Sequence, residues 1–122
     1  MLSVLTQFAD TRKEQLNSKP TISDRVIEYI IDQLPKGRVS VESTAETFYM
    51  ARSTLLRRLK QENTTFQSLM DATRKDLAIT YLQRDLATSE IADLLGFSSP
   101  SAFQHSFKRW FGTSPGEMKR LM

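Results

Sequence analysis

The sequence predicts an all-α protein of about seven helices, in which two short helix pairs are joined by one long helix. Apolar residues recur at helical spacing along nearly the whole chain, and no alternating strand pattern exceeds about four residues. Capping residues, prolines and glycines divide this pattern into segments. A chain of 122 residues with 39% hydrophobic residues can bury a core, either in one domain or in two small subdomains.

The composition excludes several kinds of site. The chain contains no cysteine, which excludes a disulfide scaffold, a thiolate metal site and a cysteine nucleophile. Its single histidine argues against a histidine-built metal site, so we expect neither a metal nor a cofactor. The apolar runs are too short to span a membrane, and residues 1–10 lack the basic start of a secretion signal. We therefore expect a cytoplasmic protein without a membrane partner.

The net charge of +3 is small and evenly spread along the chain. Residues 1–38 carry six basic and five acidic residues, and residues 39–122 carry eleven and nine. If the protein binds nucleic acid, a localised basic face must do so, with the acidic residues segregated elsewhere.

Two helices are predicted before the first short pair. Apolar residues at loose helical spacing predict a helix over residues 2–16, and Pro20 lies in a linker over residues 17–21. The next helix begins after a cap at Thr21 or Ser23 and ends at residues 35–37, which are Pro-Lys-Gly. Its apolar residues recur at helical spacing: Val26, Ile27, Ile30, Ile31 and Leu34.

The first short pair and the long helix follow. A helix over about residues 41–48 is capped by Ser40, and a tight connection leads to a helix over about residues 53–61. Leu55 and Leu59 are the predicted buried pair of this second helix. Residues 64–67, Thr-Thr-Phe-Gln, predict a capping box that opens the long helix, about residues 66–84.

The second short pair is predicted from a similar set of signals. Thr88 caps a helix that ends at Gly96, and Ser99 followed by Pro100 opens the next helix. Phe103, Phe107 and Trp110 are spaced as core residues of that helix, which favours packing over a base-stacking platform. Residues 114–117, Ser-Pro-Gly-Glu, predict a capping box that opens a last helix, ending near Leu121.

The two pairs form an internal repeat. Ala45 and Phe48 match Ala92 and Leu95 at an offset of 47, whereas Leu55 and Leu59 match Phe103 and Phe107 at an offset of 48. A small residue in the first helix lets the second helix cross closely, and large residues at i and i+4 bury against it, as in a helix-turn-helix. A linker helix of about 19 residues is about 28 Å long, against about 34 Å between successive major grooves on one DNA face.

Residues 89–120 resemble the signature of the AraC/XylS family of transcription regulators. The matching positions are Ile91, Ala92, Gly96, Phe97, Ser99, Phe103, Phe107, Lys108, Gly112, Ser114, Pro115 and Arg120. Residues 51–67, followed by Arg74, Ala78 and Leu82, resemble the first helix-turn-helix of the same family, so the likeness covers about residues 24–121.

The resemblance implies the C-terminal DNA-binding domain of such a regulator, with a homeodomain-like fold. It implies an AraC-type domain over residues 21–122, with helix-turn-helix motifs at about 40–62 and 88–111 and a linker helix at about 66–84. Residues 1–20 would be an N-terminal helix and linker, either the end of a missing effector domain or part of a single-domain member of the family.

The resemblance also implies which residues contact DNA, because the second helix of each motif enters a major groove in this family. Carried over by position, the DNA-binding residues are Arg52, Ser53, Leu56, Arg57, Lys60, Pro100, Ser101, Gln104, His105 and Lys108. Helical spacing independently places most of them on the faces opposite the predicted buried pairs. Arg57 is the candidate for reading guanine, and Gln104 for reading adenine or contacting a phosphate.

Four positions depart from the family pattern. Tyr49 stands where the first turn usually has glycine, which requires an unusual backbone angle or a changed turn. Ala51 replaces a frequent capping serine, so that the cap is weakened or moves to Ser53. Met118 replaces an aromatic residue, and His105 an arginine. Leu56 either contacts a thymine methyl group or is partly buried.

The expected partner is double-stranded DNA at a promoter or operator, and RNA polymerase is a further candidate. We expect a monomer in the cytoplasm, associated with the nucleoid, with no small-molecule effector bound to this part of the protein. No P-loop, dinucleotide fingerprint or HExxH motif is present, so we expect no catalytic residues and no enzyme. The alternative function is a helical protein-interaction module that does not bind DNA.

Overall fold

A computed structural model describes residues 19–122, which form seven α-helices and one 3-10 helix without any β-strand. The predicted helix over residues 2–16 lies outside this range. The helices are α1 (Ile22–Gln33), a 3-10 helix (Leu34–Lys36), α2 (Val41–Thr47), α3 (Arg52–Gln61), α4 (Phe66–Gln83), α5 (Thr88–Leu94), α6 (Pro100–Phe111) and α7 (Pro115–Leu121). The predicted all-α fold of two helix pairs joined by a long helix is confirmed.

The N-terminus of α1 is held by side chains from two places in the chain. Thr21 is its cap, and the reciprocal bonds with Asp24 form a capping box, with N–H to oxygen distances of 3.0 and 3.1 Å. From just beyond the end of α3, the Glu62 carboxylate accepts from the backbone N–H groups of Ile22 and Ser23 at 3.2 and 2.9 Å. These bonds satisfy donors that a helix start leaves open and tie α1 to α3.

The long helix α4 lies at the centre of the fold. It packs against α1 on one side and against α5 and α7 on the other. Its buried residues join the core with side chains from both helix pairs, including Leu55, Leu59, Phe103 and Phe107, which have no exposed surface. Burial of these phenylalanines agrees with the predicted packing role and leaves no base-stacking platform at their rings.

Two predicted helix starts differ from the structure. The box at Thr64 and Gln67 is wrong, because Thr65 is the cap and accepts from the Ser68 N–H, while the Gln67 amide donates to Asp71. Thr88 is the first residue of α5 and not its cap. Ala87 has the extended backbone of a cap, and its carbonyl accepts from the Ile91 N–H at 3.0 Å.

The capping box at the start of α7 is only half formed. Ser114 accepts from the Glu117 N–H at 3.2 Å, as predicted. The Glu117 carboxylate instead accepts from the Thr113 hydroxyl at 2.6 Å. No helix among the residues that the structure describes is long and apolar enough to cross a membrane.

Candidate nucleic-acid interface

The turns of the two helix pairs have the same backbone hydrogen bonds at an offset of 47. In the first pair, the Tyr49 N–H donates to the Glu46 backbone carbonyl at 3.1 Å, and the Met50 N–H donates to the Ala45 carbonyl at 3.0 Å. In the second pair, the Gly96 N–H donates to the Asp93 backbone carbonyl at 3.1 Å, and the Phe97 N–H donates to the Ala92 carbonyl at 2.9 Å. Both are Schellman motifs, which end a helix with one residue in the left-handed conformation. The repeat inferred from the sequence is therefore present in the backbone.

The left-handed residue of each turn has a different environment. Tyr49 has a φ of 56° and its side chain is 97% exposed, so the ring meets no neighbour that would oppose it. Gly96 has a φ of 75°, and a Cβ added there would lie 3.1 Å from the backbone oxygen of Leu34. The first turn thus accepts a side chain at a conformational cost, whereas the second turn has no room for one without movement of its neighbour.

We call α3 and α6, the second helices of the two pairs, the reader helices. Their caps lie at an offset of 48, because the second turn has one more residue. Ala51 gives α3 no side-chain cap, and the cap has not moved to Ser53. Ser99 caps α6 by accepting from the Ala102 N–H at 3.1 Å, with Pro100 in the first helical position. The α3 start is therefore the weaker of the two.

The ten predicted DNA-binding residues form five pairs at the same offset of 48. Each set occupies the side of its reader helix away from the buried pair. Nine of the ten side chains are exposed, and Leu56 is half-buried. The pairs are Arg52 with Pro100, Ser53 with Ser101, Leu56 with Gln104, Arg57 with His105, and Lys60 with Lys108. The structure thus gives both reader helices an equivalent outward face.

Each outward face continues onto the helix that follows it. Ser101, Gln104, His105 and Lys108 line an open depression of about 270 Å³ with Ser114, the cap of α7. In the first pair, Lys60 lines a depression of about 310 Å³ with Thr65, the cap of α4, and with Ser68. These capping hydroxyls were not among the site residues predicted from the sequence. The sequence pattern that indicates them is a Ser or Thr capping residue shortly after the lysine of each reader helix.

The reader helices are basic but unequal in charge. Neither contains an acidic residue, and α3 carries Arg52, Arg57, Arg58 and Lys60 where α6 carries Lys108 and Arg109. Arg52 forms an ion pair with Glu42 of α2, with 3.2 Å between Nε and Oε1, and both side chains are exposed. Arg57, Lys60 and Lys108 form no ion pair within residues 19–122. Their charge is therefore available to an anionic partner.

Arg74 of α4 joins the long helix to the second turn. Its Nε donates to the Leu95 carbonyl at 2.9 Å, and its guanidinium lies 4.4 Å from the centre of the Phe97 ring. Burial lowers the pKa of Arg74, and the nearby Asp71 carboxylate acts in the opposite direction. Arg74 is one of the residues that carry the family resemblance, and no role for it was predicted from the sequence.

The described part of the chain offers no metal centre, since no group of three or more His, Cys, Asp or Glu side chains comes together within residues 19–122.

Two helix-turn-helix units on one long helix, each with an exposed and basic second helix, define the class of DNA-binding transcription regulators. The profile of a family described as "Helix-turn-helix domain" matches residues 44–121. The chain belongs to this family, in its AraC type, and the resemblance seen in the sequence is confirmed.

Similar proteins agree with this assignment. The HTH-type transcriptional regulator VirS of Mycobacterium tuberculosis is 38% identical over 117 residues, which are 95% of this chain and 34% of VirS. VqsM of Pseudomonas aeruginosa, also an HTH-type transcriptional regulator, is 35% identical over 94 residues, which are 76% of this chain and 29% of VqsM. The chain thus spans about a third of the length of these curated relatives.

A solved structure shows a similar fold on DNA. The DNA-binding domain of AdpA, a global transcriptional factor solved in complex with a target DNA, aligns with a TM-score of 0.69 and 29% identity. The alignment covers 85% of this chain and 93% of that domain.

Proposed function

We propose that residues 21–122 are a sequence-specific DNA-binding domain that inserts α3 and α6 into successive major grooves on one face of a duplex. The observation that carries this proposal is the equivalence of the two reader faces under the repeat, five exposed or half-exposed pairs at one offset. At 18 residues, α4 is about 27 Å long, and successive grooves on one face are about 34 Å apart. The packed side chains at each end of α4 make up the difference.

The reader residues divide into groups that contact bases and groups that contact phosphates. Arg57, exposed in the middle of α3, has the fork of donors that pairs with the guanine edge. Gln104 presents an amide suited to adenine, and the half-buried Leu56 presents methyl groups toward a thymine methyl. Lys60 and Lys108 lie beside the caps of the following helices, where a phosphate meets both an ammonium and helix N–H groups. The remaining predicted contacts are Arg52, Ser53, Pro100, Ser101 and His105.

The two readers are chemically different, so we propose that the domain binds as a monomer to an asymmetric site. Arg57 pairs with His105 and Leu56 with Gln104 under the repeat, and such pairs do not read the same bases. RNA polymerase is the further partner we propose for a domain bound at a promoter. We propose further that the domain acts in the cytoplasm on the nucleoid, catalyses no reaction and binds no small-molecule effector itself.

Selection of bound duplexes from a random library, followed by titration at several salt concentrations, tests this function. Two conserved blocks about one helical turn apart, with affinity that falls steeply as salt rises, are the expected result. Absence of enrichment, together with salt-independent binding to a protein partner, would support the alternative of a helical interaction module and reject DNA recognition.

The Arg57→Ala substitution tests the base contact on the selected duplex. We expect a loss of roughly 1–3 kcal/mol in specific binding and a relaxed preference at one position. Arg84→Ala is the matched control, because Arg84 is an exposed arginine at the end of α4, outside both reader faces. An equal loss on every sequence would show that Arg57 contacts a phosphate and reads no base.

A further inference from the structure

The second helix-turn-helix unit contacts the 3-10 helix and α4 at its turn. Leu34 of the 3-10 helix is buried, and its carbonyl oxygen lies 3.1 Å from the place of a Cβ on Gly96. Beside it, Arg74 donates from Nε to the Leu95 carbonyl at 2.9 Å and from Nη2 to the Gly96 carbonyl at 3.5 Å. The turn of the second unit therefore contacts both the 3-10 helix and the middle of α4.

The chemistry of Arg74 suits a rigid connection. The guanidinium is planar, so the two carbonyl contacts and the stacking on Phe97 fix its orientation in one plane. The last carbonyls of α5 form the negative end of that helix, and the half-buried Arg74 cation stabilises them. Arg74 thus contributes more than packing, since it links α4 directly to the backbone that sets the direction of α6.

Among residues 19–122, the turn of the first unit has different surroundings from the turn of the second. The position matching Gly96 is Tyr49, whose side chain is 97% exposed. Phe48, which matches Leu95, has the Arg25 guanidinium over its ring, 4.7 Å from the ring centre. The first unit is instead fixed to α4 through α1, which packs along that helix. The Arg74 contact is therefore one place where the backbone of the second unit is fixed relative to α4.

We propose that Arg74 is a positioning residue that sets the distance and the rotational register between α3 and α6, and so the number of base pairs allowed between the two half-sites. This inference rests on the proposed function, in which both readers engage one duplex. Insertion of one base pair moves the second half-site by about 3.4 Å along the axis and about 35° around it. A rigid protein loses the contacts of one reader on such a site, whereas a loosened protein keeps both.

The experiment measures affinity for duplexes in which the spacing between the two selected blocks is changed by one or two base pairs in each direction. For the unsubstituted chain we expect each such change to weaken binding by about tenfold or more, the effect of mismatching a half-site. For Arg74→Met we expect the penalty to fall to about threefold or less, with little change in affinity for a duplex that carries only the α6 half-site. Arg84→Met removes the same charge from the exposed residue that follows α4 and should keep the spacing profile of the unsubstituted chain.

A purely structural role for Arg74 predicts another result. If Arg74→Met only reduces the fraction of folded protein, the apparent affinity falls by the same factor for every spacing. The ratio of the affinities for two spacings then stays unchanged. Titration with DNA measures the active fraction of each protein. An unchanged ratio in folded Arg74→Met would overturn the proposal and leave the two-groove function intact. If the unsubstituted chain is indifferent to spacing or to loss of one block, the two-groove function itself is wrong. Should Arg74→Met not fold, Arg74→Lys decides by the same ratio, because lysine keeps the charge but lacks the planar fork.

Discussion

At the scale of single residues, the two turns show that one backbone conformation can be satisfied in two ways. Tyr49 and Gly96 both lie in the left-handed region, at φ of 56° and 75°. An L-residue other than glycine is strained there by about 1–2 kcal/mol, and only the exposed position of Tyr49 makes the side chain sterically acceptable. The sequence shows that Tyr49 departs from the family pattern. Whether a side chain is tolerated in each turn depends on the neighbours, since Tyr49 is exposed whereas the Leu34 carbonyl lies close to Gly96.

Replacing Tyr49 by glycine should stabilise the protein. The strain is removed and no packing is lost, because the ring is 97% exposed, while part of the gain is offset by the greater freedom of glycine in the unfolded chain. We expect the free energy of unfolding to rise by about 0.5–1 kcal/mol, measured by urea denaturation. Gly96→Ala is the paired variant and should lower it. A less stable Tyr49→Gly protein would show that the tyrosine makes a contact that outweighs its strain.

Glu42 should restrain DNA binding through its ion pair with Arg52. Glu42→Gln frees the arginine and removes a negative charge beside the first reader face, at the cost of a favourable acid in the first turn of α2. We expect affinity for DNA to increase by about two- to fivefold at low salt, with a small decrease in stability. Glu46→Gln, an exposed acid on the same helix without that ion pair, serves as the control. Equal gains for both variants would assign the effect to net charge instead of to Arg52.

At the scale of helices, the sequence predicted which segments are helical better than where they begin. Ser40, Thr21 and Ser99 are caps as expected. Thr88 and Thr64 are not caps, because the start of a helix is set by the backbone that enters it. Asp85 and Asn63 lie in left-handed turns, at φ of 62° and 61°, before those two starts. In both cases the capping residue is the second residue after the left-handed one, at Thr65 and Ala87.

A serine at position 51 should repair the weak start of α3. Ala51 already has the extended backbone of a cap, at φ −71° and ψ 151°, but offers no acceptor to the helix. We therefore expect Ala51→Ser to raise the free energy of unfolding by about 1 kcal/mol, and Ser99→Ala to lower it by a similar amount. Urea denaturation of both variants measures the difference. No gain from Ala51→Ser would mean that solvent already satisfies the first N–H groups of α3.

At the scale of the whole molecule, the reader faces were predictable and the connection between the units was not. The period of the helix and the buried pairs placed eight of the ten candidate residues on the outward faces, whereas Arg52 and Pro100 were carried over from the family resemblance alone. Arg74 bonds to Leu95 and Gly96, 21 and 22 residues further along the chain. Nothing in local spacing reports such a contact, since it depends on how α4, α5 and the 3-10 helix meet.

The phosphate contacts of the whole domain should be readable from its salt dependence. Lys60→Ala and Lys108→Ala should each weaken binding to all sequences alike and reduce the slope of log affinity against log salt by about 1. Titration of one selected duplex and one unrelated duplex, at four salt concentrations or more, measures both effects. An unchanged slope for either variant would remove that lysine from the interface.

The bonds of Glu62 have a consequence for where this chain can be cut. The carboxylate at the end of the first reader helix depends on donors at Ile22 and Ser23, the first residues of α1. A truncated protein starting at residue 24 would lose these donors along with the Thr21 cap, so that both α1 and the end of α3 would fray. A fragment that begins at Thr21 keeps every one of these bonds. The smallest unit suited to recognition is therefore limited at its N-terminus by a side chain that lies 40 residues further along the chain.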